Sequence, residues 1–212
     1  MQTPYAMTDV TPDLRLCLSE PIAQLHDAVR YLDAAVSAHL LGKRNLASEL
    51  FRLADMDEIR RWTKSIWANS SVHVRYPSAE PTRIRALRAE TRMPSQVEKQ
   101  RIHTRDGYNC RFCNMPVIRS HTRKRIHDMY PDAVGWGSKE VEQHAAFQAM
   151  WAQYDHIVPH ARGGLNDLEN LILTCAPCNF GRGDATLQEV SVADPRARQP
   201  VPSHWDGLER FR

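Results

Sequence analysis

The stretch Tyr154-Asp-His-Ile-Val-Pro-His-Ala-Arg-Gly-Gly164, followed by Asn170-Leu-Ile-Leu-Thr-Cys175-Ala-Pro-Cys178-Asn179-Phe-Gly-Arg182-Gly-Asp184, decides how this chain reads. Asp155 and His156 set a carboxylate beside an imidazole. Ala152 to Ile157 reads as a short strand ending at that pair, and Asn170 to Thr174 is an apolar run suited to a second. Between them lie Gly163-Gly164 and a polar loop, Asn166 to Glu169. A helix is expected to begin near Ala176 and to carry Asn179 and Arg182. Two strands and a helix thus bring a carboxylate, an imidazole, two asparagines and two thiols into one small unit, a combination that suggests metal chemistry on a phosphodiester.

A second Cys-x-x-Cys lies upstream at Cys110 and Cys113. Ser95 to Arg105 reads as a helix opened by a Ser95/Glu98 capping box. Asp106-Gly107 makes a turn, and Tyr108 leads into the cysteine knuckle. A two-residue spacer lets two thiolates converge on one tetrahedral Zn²⁺, at about 2.3 Å each. Four cysteines could therefore close one site, although 61 residues separate the pairs, more than a compact zinc ribbon has. Spacing alone leaves a redox pair or unliganded buried thiols as alternatives. A module of short strands has little core, and metal binding supplies folding free energy directly.

The chain has 212 residues, of which 42% are hydrophobic and 25% charged, an ordinary soluble composition. No apolar run is long enough to span a bilayer, and the N-terminus lacks the pattern of a secretory signal. Five cysteines, four of them in two Cys-x-x-Cys pairs, fit a reducing compartment, so a cytoplasmic location is expected. The net charge of +3 conceals an asymmetry: residues 81–125 hold twelve Lys/Arg against three acids. Such a run is either a solvated face or a surface for a polyanion. It includes Arg83, Arg85, Arg88 and Arg92 in a proline-punctuated connection, and Arg119, Arg123, Lys124 and Arg125 beside His121 and His127.

Three amphipathic helices are expected before that connection. Ser19 to Leu41 would be capped by Ser19. Asn45 to Ala54 would bury Leu46, Leu50 and Leu53. A third would start near Asp55, with Glu58 placed for a capping box and Ile59, Trp62 and Ile66 on its apolar face. Val72, Val74 and Tyr76 alternate as a short strand would. Ser138 to Ala152 reads as one helix with His144 on its surface. Thr186 and Glu189 form a capping box for a further short helix. Trp205, Leu208 and Phe211 suit a terminal turn that docks onto a core. His26, His39 and His160 read as structural or loop histidines, and Cys17 as an inert thiol.

The matched string Asp155-His156…Gly163-Gly164…Asn170…Cys175-x-x-Cys178-Asn179-x-x-Arg182, with Asp106-Gly-Tyr-x-Cys110-x-x-Cys113 before it, resembles the HNH, or ββα-metal, endonucleases of the four-cysteine, zinc-containing HNN type. The resemblance covers about residues 95–184. It implies a zinc-stabilised nuclease domain over residues 95–184 only; with the helices, basic run and terminal turn read above, the expected chain is α+β and mainly helical, with a helical N-terminal region (1–68), a basic linker (69–94) and a docking tail (185–212). The resemblance also implies that His156 is the general base and that Asp155 and Asn179 hold a catalytic Mg²⁺ or Mn²⁺. Asn170 would orient the loop, and Cys110, Cys113, Cys175 and Cys178 would hold a structural Zn²⁺. Hard oxygen donors suit Mg²⁺ or Mn²⁺, as thiolates suit zinc.

The family often has Lys at the position of Arg182, a swap that preserves charge and changes geometry. Arg182 and Arg162, with Arg119, Arg123, Lys124 and Arg125, are the expected nucleic-acid contacts. The implied partner is double-stranded DNA, in a bacterial or phage setting, and the N-terminal helices are open to a homodimer or partner-protein role. Two other readings remain: a non-catalytic zinc-stabilised nucleic-acid-binding module, and an RNA-directed nuclease.

Overall fold

In the computed structural model, which describes residues 14–68, 70–77 and 93–212, the two short apolar runs form strands β1 (Ala152–His156) and β2 (Leu171–Cys175). They pair antiparallel, with Tyr154 opposite Leu173 and His156 opposite Leu171. Helix α7 (Ala176–Arg182) follows β2 directly. Its Pro177 sits in the first turn, where a missing N–H leaves nothing unpaired. The knuckle closes the outer edge of β2. The Arg111 N–H donates to the Leu173 carbonyl at 2.8 Å, and the Asp106 carboxylate accepts the Leu173 N–H at 3.0 Å. Ile118 meets the other edge, accepting the Ala152 N–H at 3.0 Å.

Helix α4 (Gln96–Asp106) leads into the knuckle. Its capping box forms as the sequence implies: Ser95 N–H donates to Glu98 Oε2 at 2.6 Å, and Ser95 Oγ accepts the Glu98 N–H at 3.3 Å. Gly107, at φ 72°, ends it. Asp106 does more than turn the chain. Fully buried, it also accepts from Arg105 at 2.7 and 2.8 Å.

The N-terminal region forms α1 (Ala23–Leu40), α2 (Arg44–Leu53) and α3 (Asp57–Trp67). Several expectations fail here for identifiable reasons. Ser19 does not cap α1; Ile22 holds the N-cap position, without a side-chain hydrogen bond. Helix α2 turns a different face inward. Ala47 and Phe51 are buried, while Leu46 and Leu53 stand about half exposed. A small residue at position 47 suits close approach to α1. Asp55 does not cap α3. Its carboxylate instead accepts from the Ala145 N–H at 2.7 Å and from Arg60 at 3.0 Å, tying α3 to the start of α6 (Ala145–Ala149).

The alternation at residues 72–76 gives no strand; Ser70–His73 is a single 3₁₀ turn. The expected Ser138–Ala152 helix is broken into a 3₁₀ turn at Glu140–Glu142 and the short α6. His144, expected on the surface, is buried where it caps α6, with Nε2 bonded to the Phe51 carbonyl at 2.8 Å. The basic cluster lies on a helix that periodicity did not reveal, α5 (Ser120–Met129). The Thr186/Glu189 box forms, but on turns rather than a helix. Arg83, Arg85, Arg88 and Arg92 lie outside the described residues.

The fold is thus mainly helical α+β around a small two-stranded sheet. Its buried residues form one cluster, in which Leu32, Val36 and Phe51 join Ile126, Phe147 and Leu171. The tail docks as its spacing implies. Leu208 and Phe211 are buried, Phe211 stacks on His39 at 4.3 Å, and the Trp205 indole N–H donates to the Val117 carbonyl at 2.9 Å. Helix α3 lies directly on α7. A Cβ at Gly181 would stand 2.5 Å from Ile66 Cγ2 and 2.9 Å from Leu18 Cδ1, so a side chain there would pry the two helices apart. Gly181→Ala is therefore expected to destabilise the protein by about 1–3 kcal/mol through overpacking. An unchanged denaturant midpoint would show that the seam yields freely.

Candidate functional site

Asp155 and His156 end β1 and are both 6% exposed. A buried carboxylate needs partners, and Arg182 supplies them. Its Nη2 lies 2.6 Å from Asp155 Oδ1 and its Nε 3.1 Å from Oδ2. Nη1 reaches the carbonyls of Ala185 (2.8 Å) and Ile157 (3.4 Å), and Nη2 also reaches that of His156. All five guanidinium N–H groups thus have acceptors, and the side chain is 3% exposed. The expectation that Arg182 faces a substrate phosphate is corrected: its donors are committed inside the protein. It holds the tip of β1 against the C-terminal end of α7. Asp155 Oδ1 also accepts the His156 N–H at 2.8 Å. A carboxylate has about four acceptor positions and these contacts fill three, so Oδ2 retains capacity for a cation.

His156 Nε2 lies 2.7 Å from Asn166 Oδ1. That oxygen accepts, so the contact suits an imidazole protonated at Nε2. Asn166 is the orienting residue that sequence reading missed. Its signal was only an asparagine ten residues after the histidine in a polar loop. Asn170 stitches the loop from inside. Its Oδ1 accepts the Val158 N–H at 2.8 Å, while its Nδ2 donates to Leu165 O (2.8 Å) and Val158 O (3.2 Å). The fit leaves no room for a side chain at Gly164, where a Cβ would fall 1.8 Å from the Val158 carbonyl oxygen.

Asp155, His156 and Asn179 line one pocket of about 460 Å³, together with His160, Phe180 and Asp184. The His156 and His160 rings lie 5.8 Å apart. Asp155 and Asn179 offer oxygen donors of the kind that Mg²⁺ or Mn²⁺ takes. The Lys99 ammonium lies 5.4 Å from the Tyr154 ring centre, and Tyr154 also lines this pocket.

On the other side of the same strand–helix junction, the sulfurs of Cys110, Cys113, Cys175 and Cys178 all lie within 4.8 Å of one another. Cys113 and Cys175 are 3.7 Å apart, close to the about 3.8 Å edge of a tetrahedron with 2.3 Å metal–sulfur bonds. No disulfide joins them. Burial opposes ionisation of Cys110, yet hydrogen bonds from Cys113, Cys175 and Cys178 outweigh it and hold that thiol well below its ordinary range. Four sulfurs converging on one point fit a tetrahedral zinc ion better than a redox pair, which needs only two. Cys17 stays apart, its thiol bonded to Ser19 O at 3.3 Å and pushed upward by burial.

The expected basic contacts divide. Glu209 of the docked tail accepts from Arg119 at 2.7 Å, Thr122 at 2.9 Å and His121 at 3.1 Å, with Arg125 at 4.0 Å. Arg123 lies over the Trp136 ring at 3.4 Å, and burial lowers its pKa to about 10. Lys124 pairs with Asp128 at 2.6 Å and is largely exposed. Arg162 is mostly buried and paired with Glu189 at 3.1 Å. None of the four α5-region cations lines the Asp155 pocket, so this cluster is a partly neutralised face rather than a pocket wall.

Beneath the sheet, His103 is buried between the Gly107 carbonyl (Nδ1, 3.1 Å) and the Tyr154 hydroxyl (Nε2, 3.0 Å). Desolvation pulls its pKa down to about 4, and burial pushes that of Tyr154 up to about 12.

Residues 140–184 are similar to the HNH endonuclease family. The match takes in β1, β2 and α7, but not the first cysteine pair. No curated protein and no solved structure matches the chain.

Two outcomes are expected from this geometry. Metal analysis of purified protein should find about one tightly held zinc per chain, and stripping it should lower the thermal midpoint, because Cys175 and Cys178 anchor α7. A metal-free protein of unchanged stability would contradict the site. His103 binds its proton more weakly folded than unfolded, so between about pH 6.5 and pH 4 the unfolded chain holds more protons and stability falls with acid. His103→Gln should remove up to about one proton from that slope. Parallel stability–pH curves for the two proteins would contradict it.

Proposed function

We propose that this chain is a metal-dependent endonuclease that hydrolyses phosphodiester bonds in DNA, with His156 as general base. The observation that carries the reading is one pocket lined by Asp155, His156 and Asn179, with His156 Nε2 2.7 Å from Asn166 Oδ1. Imidazole is the side chain best suited to exchange a proton near neutral pH. With Nε2 donating to Asn166, Nδ1 takes the proton of the attacking water, and Asn166 stabilises the imidazolium that results. Asp155 and Asn179 would hold Mg²⁺ or Mn²⁺, which would supply counter-charge for the reacting phosphate. Arg182 is a positioning residue: it fixes the Asp155 carboxylate and, through the His156 carbonyl, the backbone carrying the base.

The zinc site serves this chemistry indirectly, since Asn179 directly follows the ligand Cys178. Hydrolysis by this route leaves a 5′-phosphate and a 3′-hydroxyl. The excess of cations across residues 81–125 suits a nucleic-acid polyanion. Lys99, beside Tyr154, joins the candidate phosphate contacts.

The test is nicking of supercoiled plasmid in Mg²⁺ or Mn²⁺. Wild type should cut, and His156→Ala should lose at least about a hundredfold while keeping its zinc. Equal cutting by the variant would remove His156 from the base role. Binding without cutting in every divalent ion would leave a zinc-stabilised binding module. Arg182→Ala should cost about 3–5 kcal/mol by stranding a buried carboxylate, a loss that a mere surface phosphate contact would not produce.

A further inference from the structure

Phe180 follows Asn179 on α7 and lines the same pocket, yet it is 39% exposed. The seam between α3 and α7 is closed by Gly181 against Ile66, and Phe180 stands at its rim. The ring is nonetheless braced. Trp67 meets it at 5.5 Å and 62°, and Trp151 at 6.1 Å and 64°. Trp151 is in turn met edge-on by Trp136, on which Arg123 is stacked. The result is a rigid, solvent-facing aromatic surface one residue from a proposed metal ligand.

We infer that Phe180 is a stacking platform for a nucleobase next to the scissile phosphate, and that the preferred substrate presents an unpaired nucleotide at the cut. This inference rests on the nuclease reading above. Every base has a π-face, so stacking on an aromatic ring binds without sequence preference. In a continuous duplex that face is covered by its neighbours, and exposing it costs unstacking energy. The cost is least for a bulged, mismatched or single-stranded nucleotide. The site therefore discriminates by structure rather than by base-edge hydrogen bonds: junctions, bulges and single-stranded segments gain the platform cheaply, and a perfect duplex does not.

The experiment compares a fluorescent duplex carrying one bulged nucleotide with its fully paired counterpart. Binding is measured in a His156→Ala background, so that no cleavage interferes, and cleavage is mapped in the protein with His156 intact. The bulged duplex should bind about tenfold more tightly, the scale of one stacked base. Phe180→Leu keeps the apolar bulk without the ring and should bring the ratio close to one. Phe180→Tyr keeps the ring and should retain the ratio, which separates stacking from folding. Cuts should cluster beside the bulge. A preference that survives Phe180→Leu, or no preference in the parent protein, overturns the inference even where DNA is cut. A ring-dependent preference without any cleavage would instead uphold the platform and overturn the nuclease reading.

Discussion

The pairing of Arg182 with Asp155 is the constraint on which the site depends. β1 ends at a carboxylate that water scarcely reaches, and α7 ends at a guanidinium with the same problem. Neither burial is tolerable alone, and together they fix where a strand tip lies against a helix end. Arg182 also gathers the carbonyls of His156, Ile157 and Ala185. The backbone on both sides of the imidazole is therefore set by a residue with no remaining donor for substrate. A lysine, with a single ammonium, could keep the charge but not this five-way arrangement.

The parts legible in the sequence were those governed by local rules. The Ser95/Glu98 box, the two strands, the start of α7 and the docking of Leu208 and Phe211 follow from spacing and capping chemistry over a few residues. The parts that were not legible depend on what a side chain meets at long range. Helix α2 exposes Leu46 and Leu53 because Ala47 and Phe51 suit its neighbours better. Asp55 serves α6 rather than its own helix. Arg182 looked like an available cation because sequence shows a charge and not its acceptors. Asn166 was hidden for the opposite reason: an asparagine in a polar loop is ordinary until its oxygen is found 2.7 Å from an imidazole.

Two clusters of different chemistry share one short helix. Soft sulfur donors collect at the N-terminal end of α7 and its junction with β2, while hard oxygen donors face the pocket from Asn179 and from the tip of β1. A helix of seven residues has little stability of its own. Its position is set at one end by the cysteines and at the other by Arg182, with α3 lying across it. Glu209 has a comparable role farther away, where a single tail carboxylate organises Arg119, His121 and Thr122 on a face that composition alone would describe as openly basic.

The closure of β2 by the knuckle has a further meaning. Leu171-Ile-Leu-Thr-Cys175 is a short, uncharged, β-prone segment, fully buried in the fold. Such a segment with a bare edge is a template for pairing with another chain. Here the Leu173 N–H is held by the Asp106 carboxylate and its carbonyl by Arg111, both beside the cysteine knuckle. The residues flanking the cysteine knuckle therefore also act as gatekeepers against intermolecular strand addition.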